Sequence, residues 1–361
     1  MIRIRQGIIN KILTSRPGKT EVLVIVEGSE EKAINYDDIT GPVANGDKVV
    51  LNTTAIYKGL GTGGSHFIMA NLANESIDIT ETGHIMKLRY TPGQVKCLAV
   101  EEQDSPYFDQ INSFDSLDKM PVIVATLHSM LPPAVVAIKS VSKDSLKVAY
   151  IMTDGAALPI DFSNVVAELK NKGLIDASIT VGNAFGGDYE AVNIYTGLIA
   201  AKEVVKADVV IVAMGPGIVG TGTKYGFTGV EQGEIINAVN ILGGQPIAIP
   251  RISFADKRER HRGISHHSIT VLETIALTPA LITLPEMDEE KKAFIEAQLN
   301  QSKIREKHQI LYEPTTEILD ILQAKYKINV TTMGRNVEQD KEFFLTAAAA
   351  GITAAKLALN K

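Results

Sequence analysis

From Met120 onwards, short and largely apolar runs alternate with stretches of helical periodicity. The runs cover 122–125, 148–151, 177–181, 209–213, 247–249 and 328–331. Amphipathic segments at 163–172, 189–206, 233–242 and 268–277 separate them, and further helical stretches follow Glu286, Pro314 and Gln339. A strand with one wet face alternates apolar and polar residues, whereas an unbroken apolar run suits a strand covered on both faces. The pattern therefore predicts an open, doubly wound, mostly parallel α/β sheet domain over 120–361.

The first hundred residues read differently. Val22-Leu-Val-Ile-Val26 is a strand signal, and Ala44-Asn45-Gly46 marks a turn before a second one at 47–52. Residues 84–90 alternate as an extended chain, with His84, Met86, Leu88 and Tyr90 on one side. No helical period appears before about residue 104. The expectation is a small β-rich, barrel-like domain over 1–100, joined to the α/β domain by a connecting segment at 101–119 that holds a short helix.

Charge and cysteine content remove several classes. With 36 basic against 42 acidic residues the net charge is −6, without the basic surplus that general nucleic-acid binding needs. The single cysteine, Cys97, excludes a disulfide framework and a four-cysteine metal site, and its apolar neighbours mark it as core. The amino-terminal residues lack the apolar centre of a secretory signal. The longest membrane-like stretch, 343–355, ends at Lys356, short of the ~20 residues a bilayer requires. A cytoplasmic protein without membrane or nucleic-acid partners is expected, and self-association is left open.

Polar residues follow each apolar run, where open α/β sheets bind ligands. They are Thr126-Leu-His128-Ser129, Thr153-Asp154-Gly155, Gly182-Asn183 through Asp188, Met214-Gly215, Pro250-Arg251 and Thr332-Met-Gly334-Arg335. Asp154 and Asp188 are candidate bases, although Asp188 could equally cap a helix. His128 and Ser129 make a weaker candidate: adjacent residues seldom face each other, and no G-x-S-x-G turn is present. A second glycine-rich loop, 60–66, could reach the crevice or simply join strands.

Gly215-Pro-Gly217-Ile-Val-Gly220 has dinucleotide-loop spacing but does not open a helix at once. The following Thr223-Lys224 reverses the Walker order. What remains is an anion cradle made by Gly215, Gly217, Gly220, Thr221, Gly222, Thr223 and Lys224, backed by a helix starting near Val230, or else a mobile lid. Downstream, three of the seven histidines, His261, His266 and His267, lie beside Arg251, Arg258, Arg260 and Arg262. Ser265 could cap a helix with His266 and His267 in its first turn. In one reading these arginines and Arg335 hold a phosphate or carboxylate while a histidine moves protons. In the other, a histidine joins Asp154 or Asp188 around a divalent metal.

Long stretches of this chain resemble an uncharacterised bacterial family catalogued as domain of unknown function 3866. They include Leu51-Asn-Thr-Thr-Ala55, Gly61-Thr-Gly-Gly64, His84-Ile-Met-Lys-Leu-Arg-Tyr-Thr-Pro92 and Gly215-Pro-Gly-Ile-Val-Gly-Thr-Gly-Thr223. Gly229-Val-Glu-Gln232, Pro250-Arg-Ile-Ser-Phe-Ala-Asp256, Arg260-His-Arg-Gly-Ile-Ser-His-His267 and Thr332-Met-Gly-Arg335 complete the set. The resemblance implies a bacterial source and lends no activity, cofactor or catalytic residue. The residues themselves point to a soluble hydrolase or group transferase acting on a small anionic, phosphorylated metabolite. A non-catalytic nucleotide- or anion-sensing protein and a metal-dependent hydrolase are the alternatives.

Overall fold

The computed structural model describes residues 1–61, 63–78, 82–315 and 317–360 and divides into two compact units, Met1–Cys97 and Leu98–Lys361. Thr62 of the second glycine-rich loop and the terminal Lys361 lie outside the described residues.

In the first unit, β1 (Ile4–Arg16), β2 (Lys19–Val26), β3 (Ser29–Tyr36), β4 (Lys48–Asn52) and β5 (His66–Asn71) form a closed barrel of order β1-β2-β3-β5-β4. Antiparallel pairing of β1 with β4 closes it. Alternation fills the interior: Val22, Val24 and Val26 point inward against Ile9, Ala33, Val49, Leu51 and Ile68. A hairpin of β6 (Ile85–Lys87) and β7 (Val95–Cys97) follows. The extended run expected over 84–90 stops at Lys87, because Leu88 and Tyr90 adopt positive φ and turn the chain.

The second unit is built on eight strands: β8 (Pro121–Val124), β9 (Val148–Thr153), β10 (Ala177–Val181), β11 (Tyr189–Ala191), β12 (Val209–Met214), β13 (Gln245–Ala248), β16 (Leu281–Pro285) and β17 (Gln309–Glu313). Their order is β11-β10-β9-β12-β8-β13-β16-β17, and every neighbouring pair is parallel. Between β13 and β16 lies a two-stranded ribbon, β14 (Ile252–Ser253) with β15 (Gly263–Ile264). Alternate side chains serve opposite faces. Ile123, Tyr150, Ile211 and Ile247 pack in a layer with helices α1 (Leu131–Ser142), α2 (Asn164–Asn171) and α6 (Lys341–Leu359). Val122, Ile151, Val210 and Ala248 pack with α3 (Ile194–Glu203), α4 (Glu231–Ile241) and α5 (Glu289–Gln301). The sheet is thus doubly wound, as the unbroken apolar runs require.

Three local expectations are corrected. Residues 328–331 form no strand; Ile328 and Val330 are buried from a loop, and the outer positions belong to β16 and β17 instead. The segment 189–206 begins as β11. Asn193 then starts α3 by accepting from the Tyr195 and Thr196 amides, so the helix begins later than periodicity suggested. Residues 268–277 continue the short helix His266–Thr270 into a π-turn, Val271–Ile275. The segment 101–119 holds the expected short helix, Phe108–Asn112, and its Leu117 and Lys119 amides donate to the Leu242 and Gly243 carbonyls.

Among the described residues only α6 has the length and apolarity to cross a membrane, and 72% of its apolar window is buried inside the fold, so it serves as a core helix. The strand order locates the crevice. After β8 the chain crosses towards β9, whereas after β12 it crosses the other way to β13. Neighbouring strands whose connections diverge leave an opening beyond their carboxyl ends.

Candidate functional site

Two cavities open at that place. One, of about 180 Å³, is walled by the chain after β12 (Ile218 to Thr221), by Arg251, Arg258 and Arg260 after β13, and by His261 and His267. The other, of about 390 Å³, adds His128, Ser129, Ser163 and Gly217, and both share Leu127, Ile218 and Met333.

The β14–β15 ribbon folds the basic segment back on itself, bringing Arg251 beside the histidines. Ser265 fixes the histidines in two ways. It caps the His266–Thr270 helix by accepting from the His267 amide, and its hydroxyl lies 2.8 Å from His261 Nδ1. The three rings then cluster, with centroids 4.0 Å apart for His266 and His267, 5.0 Å for His261 and His266, and 5.3 Å for His261 and His267. One nitrogen from each lies within 4.8 Å of the others. His267 also stacks on Phe227 at 4.0 Å. The glycine loop lies against this ring: a Cβ on Gly220 would come within 3.0 Å of His267 Cε1, so a side chain there would push the loop away.

Burial, with Arg251 and Arg258 behind it, lowers the His261 pKa to about 3. Burial followed by His266 and Arg251 lowers His267 to about 4, and burial and Arg260 lower His266. All three rings are therefore neutral at pH 7. The Nε2 atoms of His266 and His267 and Nη1 of Arg251 are buried and find no hydrogen-bond partner among the described residues.

A carboxylate frame holds the arginines. Asp256 accepts from Arg251 Nη2 at 2.7 Å and from Arg258 Nη2 at 2.8 Å and Nε at 3.0 Å. Asp340, fully buried, takes Arg335 Nε at 2.9 Å and the Ser253 hydroxyl at 2.8 Å. These hydrogen bonds, that from Arg258 foremost, hold the Asp256 carboxyl well below its usual range.

The structure brings together His261, His266, His267, Arg251, Arg258, Arg260, Gly220 and Thr221, and leaves the other expected residues farther off or held by other partners. Gly215 packs against the Ala157 carbonyl, and Gly217 lines the second cavity. Gly222, Thr223 and Lys224 form an exposed tip: Thr223 is tied to Thr221 Oγ1 at 2.8 Å, and Lys224 Nζ lies 5.2 Å from the Tyr225 ring centre. The threonine hydroxyls thus close their own turn, a local competition that spacing does not reveal. Arg262 lies over the Phe294 ring at 5.3 Å, and Arg335 is spent on Asp340. Asp154 is at a strand end but accepts from the Asn183 amide at 2.9 Å. Asp188 lies beside the amino end of β10, where the Ser178 amide and hydroxyl and Lys170 Nζ donate to it. It precedes a strand rather than a helix, and the register of β11 against β10 carries it away from the crevice. Neither carboxylate joins the histidines, so a metal held here would use three imidazoles.

Three acids escaped the sequence reading: Asp256, Asp340 and Glu231. Glu231 opens α4 and accepts from the Thr153 hydroxyl at 2.7 Å, and its neighbours in Gly229-Val-Glu-Gln232 were the available signal. Burial first, and then the charges of Asp154 and Glu234, raise its pKa to about 7. A raised carboxyl contributes stability that is complete below its unfolded value of 4.5 and is lost as pH climbs through about 7. Glu231→Gln, which keeps an oxygen for Thr153, is expected to abolish that loss. Relative to wild type, its urea unfolding free energy gains on the order of 3 kcal/mol between pH 5 and pH 8.

Among curated proteins none matches the chain. The family match, by contrast, runs from the barrel into α6 and spans the glycine loop and the whole histidine segment. Over residues 32–351 this chain belongs to the family described as protein of unknown function (DUF3866).

Proposed function

We propose that this protein is an enzyme, a hydrolase or group transferase, acting on a small phosphorylated metabolite bound beyond the carboxyl ends of β12, β8 and β13. The observation that carries the reading is a pair of buried, unpartnered groups on one cavity, Arg251 Nη1 and His267 Nε2. An oxyanion supplies the acceptor that both lack, since a neutral imidazole donates from Nε2 when its proton sits there. Asp256 fixes the other arm of Arg251, so the guanidinium is already oriented, and Arg260 adds a charge at the rim. Neutral rings can both take up and release a proton during transfer. A bacterial cytosol, as the resemblance and the lone buried cysteine suggest, belongs to the same reading.

A metal-dependent hydrolase is the second reading. The three-nitrogen cluster supports it, because neutral imidazole is the ligating form. It leaves Arg251 Nη1 unexplained, whereas an anion accounts for that atom as well.

Melting of the dialysed protein with inorganic phosphate separates the readings. Phosphate is expected to raise the melting temperature, EDTA to leave the shift intact, and Arg260→Ala to weaken phosphate about tenfold. A shift produced by zinc alone and reversed by EDTA would install the metal reading. Phosphate binding without turnover of any phosphorylated metabolite in a broad panel would favour a sensing protein.

A further inference from the structure

We propose that Ser163, His128 and Tyr150 form a second reaction centre, in which Ser163 is a nucleophile for small carboxylic esters or thioesters. Sequence adjacency offered His128 only Ser129 as a neighbour. The fold supplies Ser163 instead: His128 Nε2 is 2.7 Å from Ser163 Oγ, and its Nδ1 is 3.2 Å from the Tyr150 hydroxyl. Tyr150 OH donates to the Ala213 carbonyl at 3.1 Å. A phenol has one proton, so with that proton on the carbonyl the tyrosine oxygen accepts from His128 Nδ1–H. The Nε2 lone pair is then left facing the serine hydroxyl. This is the tautomer a general base needs, with a third group orienting the base.

A helix cap alone does not require this line. Ser163 Oγ already caps α2 by accepting from the Val166 amide at 3.0 Å, without help from His128 or Tyr150. Tyr150 is fully buried, where a phenylalanine would fill the space without bringing a hydroxyl that needs a partner. The serine and the imidazole line the cavity of about 390 Å³, and α2 starts at the next residue. The first-turn amides of α2 point towards its amino end, where an oxyanion forming beside Ser163 would develop. Burial keeps His128 near pKa 4, hence neutral and able to accept at pH 7.

The step balances without a further reagent. Ser163 Oγ bonds to the carbonyl carbon while its proton passes to His128 Nε2. The carbon–oxygen or carbon–sulfur bond to the leaving group breaks, and that group takes the proton. Water then attacks the acyl-serine, gives its proton to His128, and releases the acid as Oγ regains the proton. This centre does not depend on the anion reading, because its test needs no phosphate.

The full-length protein is treated with a fluorophosphonate, which loses fluoride as Oγ bonds to phosphorus, and the adduct is located by peptide mass. One adduct on Ser163 is expected. It is absent in Ser163→Asn, which retains a capping side chain, and forms about 100-fold more slowly in His128→Gln at unchanged melting temperature. Tyr150→Phe is expected to slow labelling as well, acting as a positioning change. A folded wild-type protein that takes no label, labels at Ser129 only, or reacts equally fast in His128→Gln would overturn the proposal.

Discussion

Asp256→Ala is expected to cost about 3–5 kcal/mol of unfolding free energy, read from the urea midpoint of the intact chain. The carboxylate is 4% exposed and the Arg251 side chain 9% exposed, so the pair is effectively sealed from water. Removing the acid leaves Arg251, whose Nη1 already lacks a partner among the described residues, without the carboxylate that balances its charge. Arg258, 46% exposed, returns to solvent and accounts for little of the loss. Because Asp256 titrates below its ordinary range, its contribution is complete above the unfolded carboxylate value of about 3.9 and disappears only as pH falls through the lower folded value. The deficit of the alanine variant should therefore be constant between pH 5 and pH 8. A deficit that shrank at pH 8 would mean that the acid does not carry it.

Gly351 gives the second large effect. It lies in α6, where that helix crosses α1. A Cβ at this position would overlap the Ala134 carbonyl oxygen and approach Ala137 Cβ to 2.7 Å. The obstacle is backbone, which cannot rotate aside. Alanine normally improves a helix interior by about 1 kcal/mol over glycine. Here Gly351→Ala is expected to lose about 2 kcal/mol net, and Gly351→Leu about 3 kcal/mol or more, as the two helices are forced apart. Thermal melting measures both. A Gly351→Ala protein as stable as wild type would show that the helices can separate freely at this crossing.

Much of this architecture was legible because it rests on period. Runs such as 148–151 and 209–213 are apolar at consecutive positions, and Val210 and Ile211 face opposite layers of the same sheet. The β-rich character of the first unit followed from the apolar run 22–26 and the turn signal at 44–46. What period could not show was pairing. Lys224 and Arg262 have suitable chemistry, yet each lies over an aromatic ring of its own neighbourhood. Asp256 looked like one charge among many until Arg251 and Arg258 were seen to close on it. Ser163 stands 35 residues from His128, and only the paths of β9 and α2 bring them together. Edge strands were also hard to read, since β17 is half-buried and its three apolar residues, Ile310 to Tyr312, are closed in by Gln309 and Glu313.

The insertion of β12 between β9 and β8 also sets an order of assembly. As the polypeptide leaves the ribosome, β9, β10 and β11 can pair with one another. β8, made earlier, has only β12 and β13 as neighbours. It must wait with both edges bare until β12 has emerged, and such long-range parallel pairing is intrinsically slow and open to aggregation. A nascent chain halted before residue 209 would thus hold a three-stranded fragment and a sticky orphan strand, a ready client for chaperones.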